Sequence, residues 1–143
     1  MSSIIIDTCV LTHYQNPMDP NYKKLFSWVN DKGVLYVTQK LLNEYYGTGN
    51  QGIAVLLAEL VKDADNIRLV KVKKNVIEGF TQDKRYNYTA NIEDQYHAKL
   101  TFVSPRKKLI SRDNKLINDV NGFSKVDKIQ PEAIKVPDPD FYE

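Results

Sequence analysis

Five short apolar runs are spaced along this chain with helix-like stretches between them, and no other feature restricts its fold as much. The runs are "SIIID" at residues 3–7, "VLYVT" at 34–38, "IRLVKV" at 67–72, "KKLIS" at 107–111 and "SKVDKIQ" at 124–130. Each reads as a short strand, the first over Ser3–Ile6. Between them, Tyr22, Leu25, Phe26 and Val29 share one face of a helix over Asn21–Asn30, and Ile53, Leu56, Leu57, Leu60 and Val61 share one face of another. Thr38 is placed to cap a helix through "QKLLNEYYG", which Gly47 closes. Shorter helices are expected at "TCVLTHYQ", broken by "NPMDPN", and at "KKNVIEGF". "TQDKRYNYTAN" is a polar loop carrying tyrosines. "IEDQYHAKLTFVS" is a helix with Tyr96, Leu100 and Val103 facing inward, and "RDNKLINDVNG" is a loop and short helix.

Strands joined through helices predict an α/β fold. The expected form is a three-layer α/β/α sandwich with a mainly parallel central sheet of four to five strands. Parallel neighbours cannot be joined by tight turns, so the helices are the crossovers. The 143 residues suit one domain, expected over 1–136. The proline- and acid-rich stretch "PEAIKVPDPDFYE" at 131–143 reads as lying along the surface or fraying, with 137–143 set apart as a C-terminal tail.

Composition removes several classes of function. A net charge of +2 leaves any nucleic-acid contact to a local patch rather than to the whole molecule. Cys9 is the single cysteine, expected as a small core residue, and it allows neither an internal disulfide nor a cysteine-rich zinc site. There is no apolar run long enough to span a membrane and no signal-peptide pattern, so a cytoplasmic protein with no membrane partner is expected.

The first strand runs directly into an acid, Asp7. A helix N-cap explains that position, and so does a functional group placed beyond the carboxyl end of a parallel strand. Other acids occupy comparable positions: Glu44 on the helix after the second strand, Asp94 in the first turn of the helix before the fourth strand, and Asp113 just after that strand. Asp94 also suits the helix dipole, and Glu44 a solvated helix face. Were the four to converge, their repulsion would cost stability unless a hard divalent cation offset it. Mg²⁺ takes oxygen ligands, and such ions can activate a water and steady the leaving oxygen of a phosphodiester. No glycine-rich turn follows the first strand, which disfavours a dinucleotide-binding fold. Cys9 stands where a haloacid-dehalogenase-like phosphohydrolase needs its second aspartate.

"IIIDTCVL", "LLNEYYG", "NIEDQYHAKL" and "LISRDNKL" resemble, in order and spacing, the four acidic motifs of the PIN domain. "KVDKIQPEAI" is similar to that family's last strand and the segment after it. The resemblance implies a metal-dependent endoribonuclease of the VapC kind, using Mg²⁺ or Mn²⁺ and acting as the toxin of a type II toxin–antitoxin pair. It implies that Asp7, Glu44, Asp94 and Asp113 are catalytic and hold the metal. Thr8 and Ser111 match its supporting hydroxyl positions, and Arg112 adjoins the last acid as a cation for the phosphate. RNA, an antitoxin protein and a second copy of the chain are the implied partners. The alternative is a catalytically inactive PIN-fold RNA-binding or scaffold protein. The stretch from Tyr96 to Leu100 is bulkier than the family's pattern, and Leu116 stands where an aromatic residue is usual.

Further residues complete the expectations. Lys84, Arg85, Tyr86 and Tyr88 form a candidate RNA contact, since rings and cations in one loop suit splayed bases. Asp119 reads as a surface acid, and His97, one helical turn after Asp94, as a surface or packed histidine.

Overall fold

The computed structural model of the chain describes residues 2–15, 19–62 and 67–143. The break expected around residues 16–18 and the helix end expected at 63–64 lie outside the described residues. Strand β1 (Ser3–Ile6) leads into α1 (Thr8–Leu11) and a 3₁₀ turn (Thr12–Gln15). Then follow α2 (Pro20–Asp31), β2 (Val34–Val37), α3 (Gln39–Gly47), α4 (Gln51–Lys62), β3 (Leu69–Lys71) and α5 (Lys74–Glu78). The second half holds α6 (Ile92–Val103), β4 (Lys108–Ile110), α7 (Asn114–Gly122), β5 (Glu132–Ile134) and α8 (Pro139–Tyr142).

The five strands form one sheet in the order β3-β2-β1-β4-β5, and every pairing is parallel. β1 lies at the centre, with Ile4 opposite Leu35 of β2 and Ile5 opposite Leu109 of β4. All four residues of β1 are buried, which is why this strand is a continuous apolar run rather than an alternating one. The helices pack as two groups, α1–α4 and α5–α7. Right-handed crossovers put the first group on one face and the second on the other. The expected α/β sandwich is therefore the fold observed, with its sheet wholly parallel. Among the described residues no helix is long and apolar enough to cross a membrane.

Side chains fix the helix starts that matter for the edge of the sheet. The Thr38 hydroxyl accepts from Leu41 N–H at 3.1 Å, the expected cap of α3. From the same helix the buried Tyr45 donates its hydroxyl to the carbonyl of Ile6, tying α3 to the end of β1. Burial holds that hydroxyl's pKa well above the ordinary tyrosine range.

Two expectations fail near the C-terminus. "SKVDKIQ" is not the fifth strand. Val126 and Ile129 form an isolated antiparallel bridge around Asp127 and Lys128, whose φ of 50° and 68° make a tight left-handed turn. β5 comes a few residues later, at Glu132–Ile134, inside the stretch read as leading into a surface tail. Nor does that tail fray. Pro139–Tyr142 makes a helical turn capped by Asp138, and Tyr142 is buried with its ring 4.8 Å from that of Trp28. Lys108 and Arg106 donate to the carbonyl of Phe141 at 2.5 Å and 3.3 Å.

Candidate metal centre

Asp7 stands at the carboxyl end of β1, where its N–H donates to Ile110 O at 2.9 Å and extends the pairing with β4. Its side chain does both things the sequence allowed. Oδ1 accepts from Thr8 N–H at 2.8 Å and caps α1. Oδ2 accepts from the Ser111 hydroxyl at 2.7 Å and lies 3.6 Å from Cys9 Sγ. The carboxylate is 7% exposed, so these bonds replace water. Ser111 is wholly buried, and its oxygen also accepts from Asp113 N–H at 3.0 Å. One hydroxyl thus links two of the four acids. Cys9 is exposed rather than in the core, and its sulfur accepts from Arg112 N–H at 3.4 Å.

Asp113 caps α7, with Oδ1 accepting from Lys115 N–H at 2.9 Å and Leu116 N–H at 3.3 Å. Asp94 sits in the first turn of α6, held there by Asn91 Oδ1 accepting from its N–H at 2.9 Å. The Asp94 carboxyl is pushed up to about 6. Burial is the main cause, followed by a hydrogen bond with Asp113 and the negative charges of Asp113 and Asp7; His97 offsets part of the rise.

Glu44 reaches the same place from α3. Oε1 accepts from the Thr8 hydroxyl at 3.3 Å, and Oε2 meets His97 Nε2 at 2.8 Å. His97 is buried, and its Nδ1 has no hydrogen-bond partner. A proton on Nδ1 would be a buried donor without an acceptor, so the network assigns the proton to Nε2, donating to Glu44. Ligand atoms of Asp7, Glu44 and His97 all lie within 4.8 Å of one another.

Of the four acids read from the sequence, Asp7 and Glu44 fall in one group with His97, Asp113 is linked to Asp7 through Ser111, Asp94 lies within reach of the charges of Asp113 and Asp7, and Thr8 is bonded to Asp7 and Glu44. Arg112 does not face them: its guanidinium donates to His13 Nε2 at 3.0 Å, and His13 stacks on Tyr22. In the loop before α6, Lys84 and Arg85 are exposed, but the two tyrosines are engaged. Tyr86 packs edge-on against Phe123 and donates to Asp119 O at 3.1 Å. Tyr88 donates to the buried Asp83 carboxylate at 2.6 Å, which together with burial raises its own pKa above the usual range.

Asp119, expected at the surface, is fully buried. Its carboxylate accepts from Thr89 N–H at 2.8 Å, Thr89 Oγ1 at 2.9 Å and Ala90 N–H at 2.9 Å. It fixes the residues leading into Asn91 and so sets where α6 begins. His97 and Asp119 are the site residues that sequence reasoning missed. The spacing of His97 one turn after Asp94 was the available signal for the first. Nothing local marked the second, because its partners lie about thirty positions earlier in the chain.

A divalent cation fits this set. The donors are carboxylates and hydroxyls, hard oxygen ligands. A cation would offset the repulsion that Asp113 and Asp7 exert on Asp94. His97 stands with Asp7 and Glu44 in the group, its Nε2 against Glu44.

No protein-family model matches the sequence, and no curated protein matches it. Among solved structures, the chain is similar to one in the crystal structure of VapBC2 from Rickettsia felis bound to a DNA fragment from their promoter. The TM-score is 0.50 at 9% sequence identity, over 93% of this chain and 99% of that one. At that identity the likeness is one of fold.

Proposed function

We propose that this chain is a PIN-like, metal-dependent endoribonuclease that hydrolyses RNA phosphodiester bonds, serving as the toxin of a type II toxin–antitoxin pair. One observation carries the reading: at the carboxyl edge of a parallel sheet Asp7 and Glu44 converge with His97, Asp113 is tied to Asp7 through Ser111, and Asp94 lies under the negative charge of Asp113 and Asp7. Such a grouping is costly unless it holds a cation. The resemblance of the four motifs and the fold shared with a chain of the VapBC2 structure point the same way.

In this reading Asp7, Glu44, Asp94 and Asp113 hold Mg²⁺ or Mn²⁺. The bound ion supplies Lewis acidity toward water and toward the phosphodiester oxygens. The remaining work belongs to the chain. Thr8 N–H and Ser111 Oγ fix both oxygens of Asp7, and His97 and the Thr8 hydroxyl fix both oxygens of Glu44. These bonds hold the ligands in place before a substrate arrives, so little reorganisation remains at the moment of reaction. Lys84 and Arg85 are exposed cations in the loop that leads into α6, free to meet phosphate charge. An antitoxin or a second copy covers apolar side chains left exposed on α3 and α4, among them Tyr46 and Val55.

The test pairs cleavage of a mixed RNA pool in Mn²⁺ with thermal melting, for wild type and Asp7→Asn. Asn caps a helix about as well as Asp, so the melt is expected to stay level or rise while cleavage drops by orders of magnitude. An equally active mutant would leave Asp7 only its capping role. A wild type that binds RNA and cleaves none would turn the reading toward an RNA-binding protein.

A further inference from the structure

Beside the acidic cluster, a groove of about 950 Å³ runs away from Glu44 over the carboxyl ends of β2 and β3. Its walls are the first turns of α3, α5 and α6. Four lysines line it: Lys40 from α3, Lys71 at the end of β3, and Lys73 and Lys74 at the start of α5. Two acids line it, Glu44 at its inner end and the exposed Glu93. Two apolar surfaces also face it: Tyr96, half-buried, and Ile92, which is 83% exposed. For a chain with a net charge of +2 this is a local concentration of positive charge.

The lysines are not consumed by the fold. Among the described residues neither Lys40 nor Lys73 forms an ion pair, and Lys74 has only an exposed pair with Glu78. Lys71 is held in place by a neutral partner, donating to Gln39 Oε1 at 2.9 Å, while Gln39 donates to Asn43. That amide chain orients an ammonium toward the groove without cancelling its charge.

We propose that this groove is the path of a single-stranded polynucleotide to the acidic cluster, its phosphates on Lys40, Lys71, Lys73 and Lys74 and a base against Tyr96 and Ile92. The proposal rests on the nuclease reading for what happens at the cluster, and extends it by fixing strandedness and direction. Charge selects a polyanion. The volume lies at the upper end of the roughly 300–1,000 Å³ typical of small-ligand sites and suits a short run of nucleotides. Lysines along a groove with an accessible ring are the arrangement that suits unpaired bases. Proteins that read duplex RNA instead span about 16 base pairs by shape, and a groove closed in by three helix ends has no room for that. The tyrosines of the loop at 81–91 are packed, so Tyr96 and Ile92 are the better-placed stacking surface on this rim.

The test measures binding and cleavage separately. Anisotropy of a labelled, unstructured pyrimidine oligoribonucleotide is recorded in EDTA at several salt concentrations. The proteins are wild type, K71A/K73A/K74A, Tyr96→Leu, and a charge-matched control, K23A/K24A/K32A, which removes exposed lysines of another surface around α2. Circular dichroism melts check folding of each. The groove variant is expected to bind at least about tenfold more weakly near physiological salt, with a salt slope smaller by about 0.7 for each phosphate that is no longer neutralised. Tyr96→Leu is expected to weaken binding with the slope unchanged, the control to bind as wild type, and a duplex of the same sequence to bind more weakly than the single strand. Wild-type binding of the groove variant, equal losses in groove variant and control, or equal affinity for duplex would overturn the proposal. A wild type that binds through these lysines and cleaves nothing would sustain the groove while ending the nuclease reading; one that cleaves with the lysines indifferent would do the reverse.

Discussion

Asp113, capping α7, stands close enough to Asp94 in the first turn of α6 for its negative charge to add to burial in pushing the Asp94 carboxyl up to about 6. An acid whose folded pKa lies above its unfolded value stabilises the fold while it is protonated. That contribution is complete below the unfolded value near 3.8 and is lost as pH rises through about 6. In chelator, wild type and Asp94→Asn should therefore melt alike near pH 4, and Asp94→Asn should gain on wild type as pH approaches 7. Added Mn²⁺ should reverse the order at neutral pH. A melting difference that stays flat with pH would contradict the raised Asp94 value.

Ser111→Ala removes one hydroxyl and strands two groups, Asp7 Oδ2 and Asp113 N–H. Leaving buried polar groups unpaired costs about 1–3 kcal/mol. Chemical denaturation should show a loss of this order, and cleavage should fall further than stability does because Asp7 is no longer held. A stability unchanged from wild type would mean that water replaces the hydroxyl without loss.

His97 gives a test by substitution and by spectroscopy. The ¹⁵N shifts of its ring should report the tautomer protonated at Nε2. His97→Gln keeps a donor for Glu44, whereas His97→Phe keeps the bulk and loses it. Loss of an outer hydrogen bond to a metal ligand typically costs 10–100-fold in metal affinity. Calorimetry with Mn²⁺ should show such a loss in the Phe variant and partial rescue in the Gln variant. Equal affinity in both would reduce His97 to a packing residue.

Asp119→Ala deletes a buried carboxylate that takes three hydrogen bonds. Hydrogen bonds to charged groups contribute about 1.5–3 kcal/mol each, not additively. A destabilisation of about 3 kcal/mol is expected, with faster hydrogen exchange concentrated at residues 81–91. Uniform loss of protection across the sheet instead would show that Asp119 serves the core and not the loop.

These residues also mark what the sequence could and could not tell. The places of Asp7, Glu44, Asp94 and Asp113 beside strand ends or in helices were legible from local pattern, whereas their grouping as one site was read from the resemblance of their motifs. The parallel sheet was legible because β1 and β2 are apolar runs separated by helix-length stretches. β5 was not. Val126 and Ile129 supply β-branched residues to a run that reads as extended, and the left-handed pair Asp127–Lys128 turns it into a loop tip. The true β5 is three residues long, too short for any periodicity. Tyr142 looked like part of an exposed tail because its partner, Trp28, lies at the other end of the chain. Asp119 shares that difficulty, since its partners Thr89 and Ala90 lie about thirty positions earlier and leave no local trace.

The sheet order has a mechanical meaning. From β1 the chain builds outward to β2 and β3 on one side, then returns to build β4 and β5 on the other, so β1 is a seam between two half-sheets. Asp7 stands on the seam, Glu44 comes from the first half, and Asp94 and Asp113 come from the second. An ion held by all four, as proposed, would be a rivet through both halves. Its removal would not loosen one loop. It would release the clamp between the two halves, coupling the stability of the whole sheet to the occupancy of a single site.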